Sequence, residues 1–435
     1  MKALSGYVKD LSHDGRGIIK IDKEVYFVEG ALVGELVNFS YQKRFKKQNI
    51  GRLLSVVEVS SKRVTPRCEY FEDCGGCAMQ HLDSEEQVLF KQNTLVQSLS
   101  RLGNVEPTTL LQPIVGQFWN YRRRIRLATQ WRKKTNSLRF GFRQHKAAGI
   151  VPINHCHVMD SRASQLLPEL QLILNGLANK KNINQLEITC AEYTSTLLLE
   201  HSAPFSDGDI DLLASWLADN PDFKIYLKSG GVCIEVATNS MPYRLPSYLI
   251  PEFGIAVEYN PTDFIQINGT INKLMIKQAV DLLEVSSDDS IVDFFCGIGN
   301  FSLPFSTIAK RVLGLELNQR MVDQAERNAQ SNKLHNVKHV VADLYDSYPH
   351  DAGLLKSYNK VLLDPPRSGA GYVISELIPK FYPEKILYVS CNPATLARDS
   401  GVLVNKLGYR LESAGIIDMF PHTAHVESTA LFTRS

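Results

Sequence analysis

The chain has 435 residues, 44% hydrophobic and 22% charged, with a formal net charge of +2. Its length suggests roughly three domains, and its composition is that of an ordinary water-soluble protein. No apolar run approaches the roughly 20 residues that span a bilayer, and the opening MKALSGYVKDLSHDG is unlike a secretory leader. A cytoplasmic protein is expected, in which the eight cysteines are thiols, metal ligands or nucleophiles rather than disulfides.

Residues 1–62 begin with short β-rich runs, GIIKI, EVYFV, ELVNFSY and GRLLSVVEV, punctuated by glycines, and predict a small OB-like barrel. The small net charge hides a lopsided distribution. Residues 41–67 hold eight Lys/Arg against Glu58 alone, and residues 119–149 hold ten with no acid. Two basic islands on an otherwise acidic chain are the footprint of a polyanion partner. In the second island, Arg122, Arg123 and Arg124 are expected phosphate contacts, and Trp119, Tyr121, Trp131, Phe140 and Phe142 stand among them as base-stacking platforms would.

Between the islands, Cys68, Cys74 and Cys77 are spaced C-x5-C-x2-C, and Cys156 is the best candidate for a fourth ligand. Four thiolates suit either a [4Fe–4S] cluster or zinc, and the spacing does not choose between them. Cys190 and Cys233 read as core residues of strands. Residues 63–260 are expected to form a central α+β domain carrying these cysteines.

From 261 onward the pattern alternates strand and helix and predicts an α/β, Rossmann-like domain. Its first strand ends in DFFCGIGN, and Glu316 closes the second strand nineteen residues after Gly297, placed to accept hydrogen bonds from a ribose. The turn has G-x-G without a third glycine, which makes a dinucleotide site the poorer reading. Asp343 follows the third strand, LLDPPRSG ends the fourth, and Cys391 in SCNP ends the fifth. A doubly wound sheet binds ligands at these carboxyl ends.

A cysteine there is chemically meaningful if the substrate is uracil. C5 of uracil is too weak a nucleophile to attack a sulfonium methyl group, but a thiolate added to C6 makes it an enolate, and a base must afterwards remove the C5 proton. D-x-F-C-G-x-G, DFIQIN, DPPRSG, SCNPATLARD and the terminal PHTAHVES together resemble the RNA uracil-5-methyltransferase family, over essentially the whole chain. The N-terminal barrel resembles a TRAM domain, and the cysteine stretch is similar to that of the 23S rRNA branch. The resemblance implies Cys391 as nucleophile and Glu427 as base. It implies Gln266, Phe295, Asn300, Glu316, Asp343 and Asp364 around S-adenosylmethionine, with Phe264, Gln266 and Asp364 at the uracil. It also implies a [4Fe–4S] cluster on Cys68, Cys74, Cys77 and Cys156, 23S rRNA as partner, and a monomer with no membrane association. The close competitor, an RNA cytosine-5-methyltransferase, usually has a cysteine in the proline turn, and DPPRSG has none.

Overall fold

The computed structural model describes residues 3–45, 48–145, 147–236, 245–345 and 354–434. Lys46, Lys47 and Lys146 of the basic islands lie outside these.

Five strands, β1 (Ala3–Leu11), β2 (Gly17–Ile21), β3 (Glu24–Glu29), β4 (Leu36–Phe45) and β5 (Gln48–Glu58), close into a barrel in the order β1-β2-β3-β5-β4. Its interior is filled by Val8, Ile19, Val28, Ala31, Val37 and Phe39. Gly51 is a glycine for that reason, since a Cβ there would stand 2.7 Å from Phe39 and 2.8 Å from Val28.

After helix α1 (Ser84–Ser98) and the two-residue strand β6 (Thr109–Leu110) comes a second sheet. It comprises β7 (Arg124–Arg132), β8 (Ser137–Arg143), β9 (Ile150–Pro152), β10 (Ile183–Thr189), β11 (Ser195–His201), β12 (Phe223–Ser229) and β13 (Val232–Glu235), ordered β13-β12-β11-β10-β7-β8-β9. Alternating apolar residues Ile125, Leu127, Leu138, Phe140, Leu186 and Ile188 cover one face with α2 (Ser161–Gly176) and α3 (Asp207–Asp219). Both helices start on side-chain caps, from Asp160 and from a Ser206–Asp209 capping box.

The small hairpin β14 (Ser247–Ile250) and β15 (Ile255–Glu258) precedes helix α4 (Gly269–Leu283). The remaining elements are β16 (Ser290–Phe294), α5 (Ser302–Ser306), β17 (Arg311–Glu316), α6 (Gln319–Ser331), β18 (Val337–Val341), β19 (Lys360–Leu363), α7 (Ile378–Phe381), β20 (Lys385–Ser390), α8 (Pro393–Asn405), β21 (Tyr409–Ile417) and β22 (Glu427–Arg434). They build an eight-stranded sheet ordered β18-β17-β16-β19-β20-β22-β21-β6. Strands β16 to β20 are parallel, and β22 runs antiparallel between β20 and β21. This is the expected α/β fold, with one addition from the middle of the chain. β6 extends the edge through Ser413 and Ala414, and Val88, Leu95 and Leu99 pack α1 and the turn after it into this core. The contact is close enough that a Cβ on Gly103 would stand 2.4 Å from the Ala397 carbonyl. No described helix is long and apolar enough to cross a membrane.

Two features of the second basic island need correction. Arg123 and Arg124 are only 5% and 7% exposed. Arg124 pairs with Glu187 at 2.6 Å and donates to the carbonyls of Pro261 and Asp263, while Arg123 donates to the Gln266 carbonyl at 2.8 Å. They rivet β7 to the segment before α4 and are not free for phosphate. The aromatics are also largely structural: Tyr121 and Phe140 are buried, and Trp119 stacks on His422. The exposed cations are Arg126, Arg132, Lys133, Lys134, Arg139 and Arg143.

One buried ion pair joins the middle of the chain to its end. Lys91 Nζ lies 2.6 Å from Asp418 Oδ1 and 2.9 Å from the Phe420 carbonyl, with both side chains 1% exposed. Burial pushes the Lys91 pKa down, and Asp418 offsets part of that. Lys91→Ala should lower the stability read by urea unfolding by about 3–5 kcal/mol, because it strands a buried carboxylate. The double replacement Lys91→Met, Asp418→Leu should cost clearly less.

Candidate active site

The glycine-rich turn after β16 forms under backbone constraint. Phe295, Gly297 and Gly299 have φ of +66°, +57° and +98°, and the Phe295 and Cys296 amides both donate to the Leu315 carbonyl on β17. Glu316, at the end of β17, accepts from Gly297 N at 3.3 Å and Asn318 N at 3.0 Å, so its carboxylate lies against the turn. Asn300 is fixed by Tyr248 Oη at 2.9 Å and by a reciprocal pair of bonds with Asn272 at 2.9 and 3.0 Å. Asp343 follows β18 and accepts from Tyr345 N at 2.9 Å, and the Tyr345 ring lies 5.8 Å from that of Phe295. Four of the expected cofactor residues therefore line adjacent strand ends.

A second group gathers at the ends of β19 and β20. Asp364 follows β19, Cys391 follows β20, and Glu427 is the first residue of β22, where Ser428 pairs with Ser390. Antiparallel pairing thus sets Glu427 beside Cys391. Glu427 is 3% exposed, and its carboxyl is pushed well above the usual range by burial and then by Asp364. Burial pushes Asp364 up to about 7. The Cys391 thiol is pushed up to about 11 by burial, then by Glu427 and Asp364, while Arg367 draws it down. Two turns are tied together here: Asn392 Nδ2 donates to the Arg367 carbonyl at 2.9 Å, and Asn392 also caps α8. A surface glutamate would have had the same local sequence, HTAHVES; burial distinguishes this one.

Phe264 and Gln266 lie on the segment that Arg123 and Arg124 hold. Phe264 is 65% exposed, and among the described residues neither side chain forms a hydrogen bond or ring contact with Cys391 or Glu427. Sequence reasoning passed over Asp293, the first acid of D-x-F-C-G-x-G. It is fully buried beneath the turn, where burial and then Asp364 push its carboxyl well above the usual range, with Ser302 offsetting part of that. Beside it runs a chain from Ser302 Oγ to His339 Nε2 at 2.9 Å and from His339 Nδ1 to Glu326 at 2.9 Å. Cys296 is buried in the turn, as a packing residue would be.

Among the described residues, no group of three or more His, Cys, Asp or Glu side chains is close enough to hold a metal ion. The expected ligands Cys68, Cys74, Cys77 and Cys156 nonetheless share one neighbourhood. Burial raises each thiol, Cys74 to about 11 and Cys77 to about 12, and the sulfurs raise one another further. Gly76 N donates to Cys74 Sγ at 3.4 Å, and backbone or amide N–H groups of Tyr70, Gln80, Val158 and Met159 draw the other thiols back down in part. Cys190 is buried as expected, but Cys233 is exposed, because β13 is an edge strand.

Comparison with known proteins gives the family and the fold. The family described as "tRNA (Uracil-5-)-methyltransferase" matches residues 250–435. The 23S rRNA (uracil(1939)-C(5))-methyltransferase RlmD of Legionella pneumophila (strain Paris) is 40% identical over 429 residues, covering 98% of this chain and 96% of its own. The chain belongs to the RlmD family of 23S rRNA (uracil-C5)-methyltransferases. The RlmD protein of Xanthomonas axonopodis pv. citri (strain 306) is 39% identical over 433 residues, with 98% and 96% covered. The fold matches that of the Pyrococcus abyssi tRNA (uracil-54, C5)-methyltransferase, solved with S-adenosyl-L-homocysteine, at a TM-score of 0.75 and 22% identity, covering 99% of this chain and 100% of that one.

Arg367 is the cation that favours the Cys391 thiolate. Arg367→Gln should therefore slow alkylation of Cys391 at about pH 9, because less of the thiol is ionised once that cation is gone. Peptide mass spectrometry after timed iodoacetamide treatment reads this, with Cys233 as an internal control.

Proposed function

We propose that the chain is an S-adenosylmethionine-dependent enzyme that methylates C5 of a uridine in 23S rRNA through a covalent adduct on Cys391. The observation that carries this reading is the pairing of a thiol with a fully buried carboxyl at one sheet edge. Cys391 Sγ, as thiolate, adds to C6, and the C5=C6 electron pair moves into the ring to give an enolate. C5 then takes the sulfonium methyl group as the C–S bond breaks, leaving S-adenosylhomocysteine. Glu427 removes the C5 proton, and the freed electron pair restores C5=C6 as the C6–S bond breaks. A carboxylate kept out of water has the high proton affinity that removal of a proton from carbon requires.

In this reading Glu316 holds the donor's ribose, and Asp343 holds its adenine. Phe295, Asn300 and Gln266 complete the donor site, with Asp364 facing the sulfonium. Phe264 and Gln266 hold the flipped uracil, whose edge Asp364 also meets. The barrel, read as a TRAM domain, and the exposed cations Arg132, Lys133, Lys134, Arg139 and Arg143 take the RNA backbone.

We read Cys68, Cys74, Cys77 and Cys156 as ligands of a [4Fe–4S] cluster. Raised thiols clustered together, one of them accepting from a backbone amide, fit a group that stabilises thiolates. Four thiolates also suit a single zinc ion; the likeness of the cysteine stretch to that of the 23S rRNA branch favours the cluster. When bound, such a cluster supplies four fixed anchors and a one-electron couple.

Protein purified without oxygen should be brown, with about four irons per chain, and Cys74→Ser should lose them. A colourless preparation with stoichiometric zinc would rule the cluster out. For the chemistry, Cys391→Ala should give neither methylated RNA nor a covalent complex. Glu427→Gln should slow turnover roughly 10²–10⁴-fold and accumulate a methylated protein–RNA band on denaturing gels. If it stops without trapping RNA, the base is another residue.

A further inference from the structure

The loop that leads into Glu427 is held by residues from the other end of the chain. His422 has φ +63°, a left-handed conformation that residues with a Cβ rarely adopt. Such strain persists only where the surroundings over-determine it, and here they do. The His422 amide donates to Gln87 Oε1 at 2.8 Å. Its carbonyl accepts from Ala78 N at 2.9 Å and Met79 N at 3.0 Å. Its ring lies on Trp119 with centroids 3.9 Å apart, and its Nδ1 is 3.2 Å from Gln87 Nε2. Gln87, 1% exposed, also donates to the Met79 and Leu82 carbonyls. On the same loop Ala424 packs with Leu32, Met79, Leu82 and Phe90.

His422 precedes Glu427 by five residues, and Ala78 directly follows Cys77. The backbone that follows a cysteine ligand therefore grips the loop that carries the base, with α1 gripping from the other side. Cys391 and the donor turn rest on β20 and β16 and share none of these bonds.

We propose that Gln87 and His422 are positioning residues for Glu427: through them α1 and the cysteine loop hold the carboxylate where it can reach the C5 proton. This inference rests on the covalent reading above. It predicts a selective defect, because addition of the thiolate and methyl transfer need Cys391 and the donor but not the loop, whereas proton removal needs the loop. Misplacing a reacting group by about an ångström can cost roughly 10²-fold.

The test uses the full-length protein, S-adenosylmethionine and an unmodified 23S rRNA fragment. Gln87→Met removes every Gln87 hydrogen bond at similar volume. His422→Gly, for which a positive φ is unstrained, removes the stacked ring and keeps the backbone clamp. Each should accumulate the methylated covalent complex and slow its resolution roughly ten- to hundredfold, while donor binding and the rate of adduct formation stay near those of the parent. Normal turnover in both variants would overturn the inference. So would a parallel loss of adduct formation, donor binding and thermal midpoint, the pattern of a merely structural role. Glu427→Gln run alongside separates the two levels. If it fails to trap RNA, the covalent-base reading falls and takes this inference with it. If it traps RNA while Gln87→Met and His422→Gly do not, only the positioning role falls.

Discussion

Strands β16 to β20 run in parallel and end on one edge, and β22 runs the other way, so it begins where they finish. That single reversal brings the 418–427 segment, which is distant in sequence, to the mouth of the site. It seats Glu427 one residue beyond the Ser390–Ser428 pair, on the side where Cys391 follows β20. Were β22 parallel, its first residue would lie at the opposite end of the sheet. Much else in the chain serves to keep this arrangement fixed, including the buried lysine on α1, the caps at Asn392 and Asn318, and the arginines that pin the segment before α4.

The site concentrates acids that are kept out of water. Asp293, Asp364 and Glu427 all have raised pKa values, for which burial is the first cause, and Cys391 is raised in the same environment. Taken alone, such a cluster is unfavourable for the free protein, since each ionised form lacks hydration. It becomes favourable opposite a positively charged ligand, and a sulfonium is one. Arg367 supplies the local positive charge already present.

Elements whose signal is local were legible in the sequence. Each chemical motif of the C-terminal half stands where an apolar run stops, and runs stop at strand ends, so DFFCGIGN, LLDPPRSG and SCNP could be placed without coordinates. What depended on distant partners was not legible. Glu427 sits among polar neighbours, and its burial comes from β20 and β21 on either side of β22. Arg124 reads as a phosphate contact until Glu187, 63 residues later, is seen to neutralise it. β6 is two residues long and has no periodicity to detect. The aromatics of the basic island obey the alternation of strands, which decides between core and surface, but composition alone does not reveal the phase. The edge position of β13, which exposes Cys233, is likewise a property of topology.

The bond between Lys91 and Asp418 spans 327 residues of sequence, and that separation has a consequence for biosynthesis. At roughly 5–20 residues per second, a ribosome needs on the order of fifteen seconds to a minute to make the intervening chain. Throughout that interval α1 has emerged with its lysine, while the sheet it packs against is unfinished. The barrel and the seven-stranded sheet can form as they leave the tunnel; the catalytic unit must wait for the last strand. Until then Val88 and Leu95 of α1, which pack into the core of that sheet, stay without their cover.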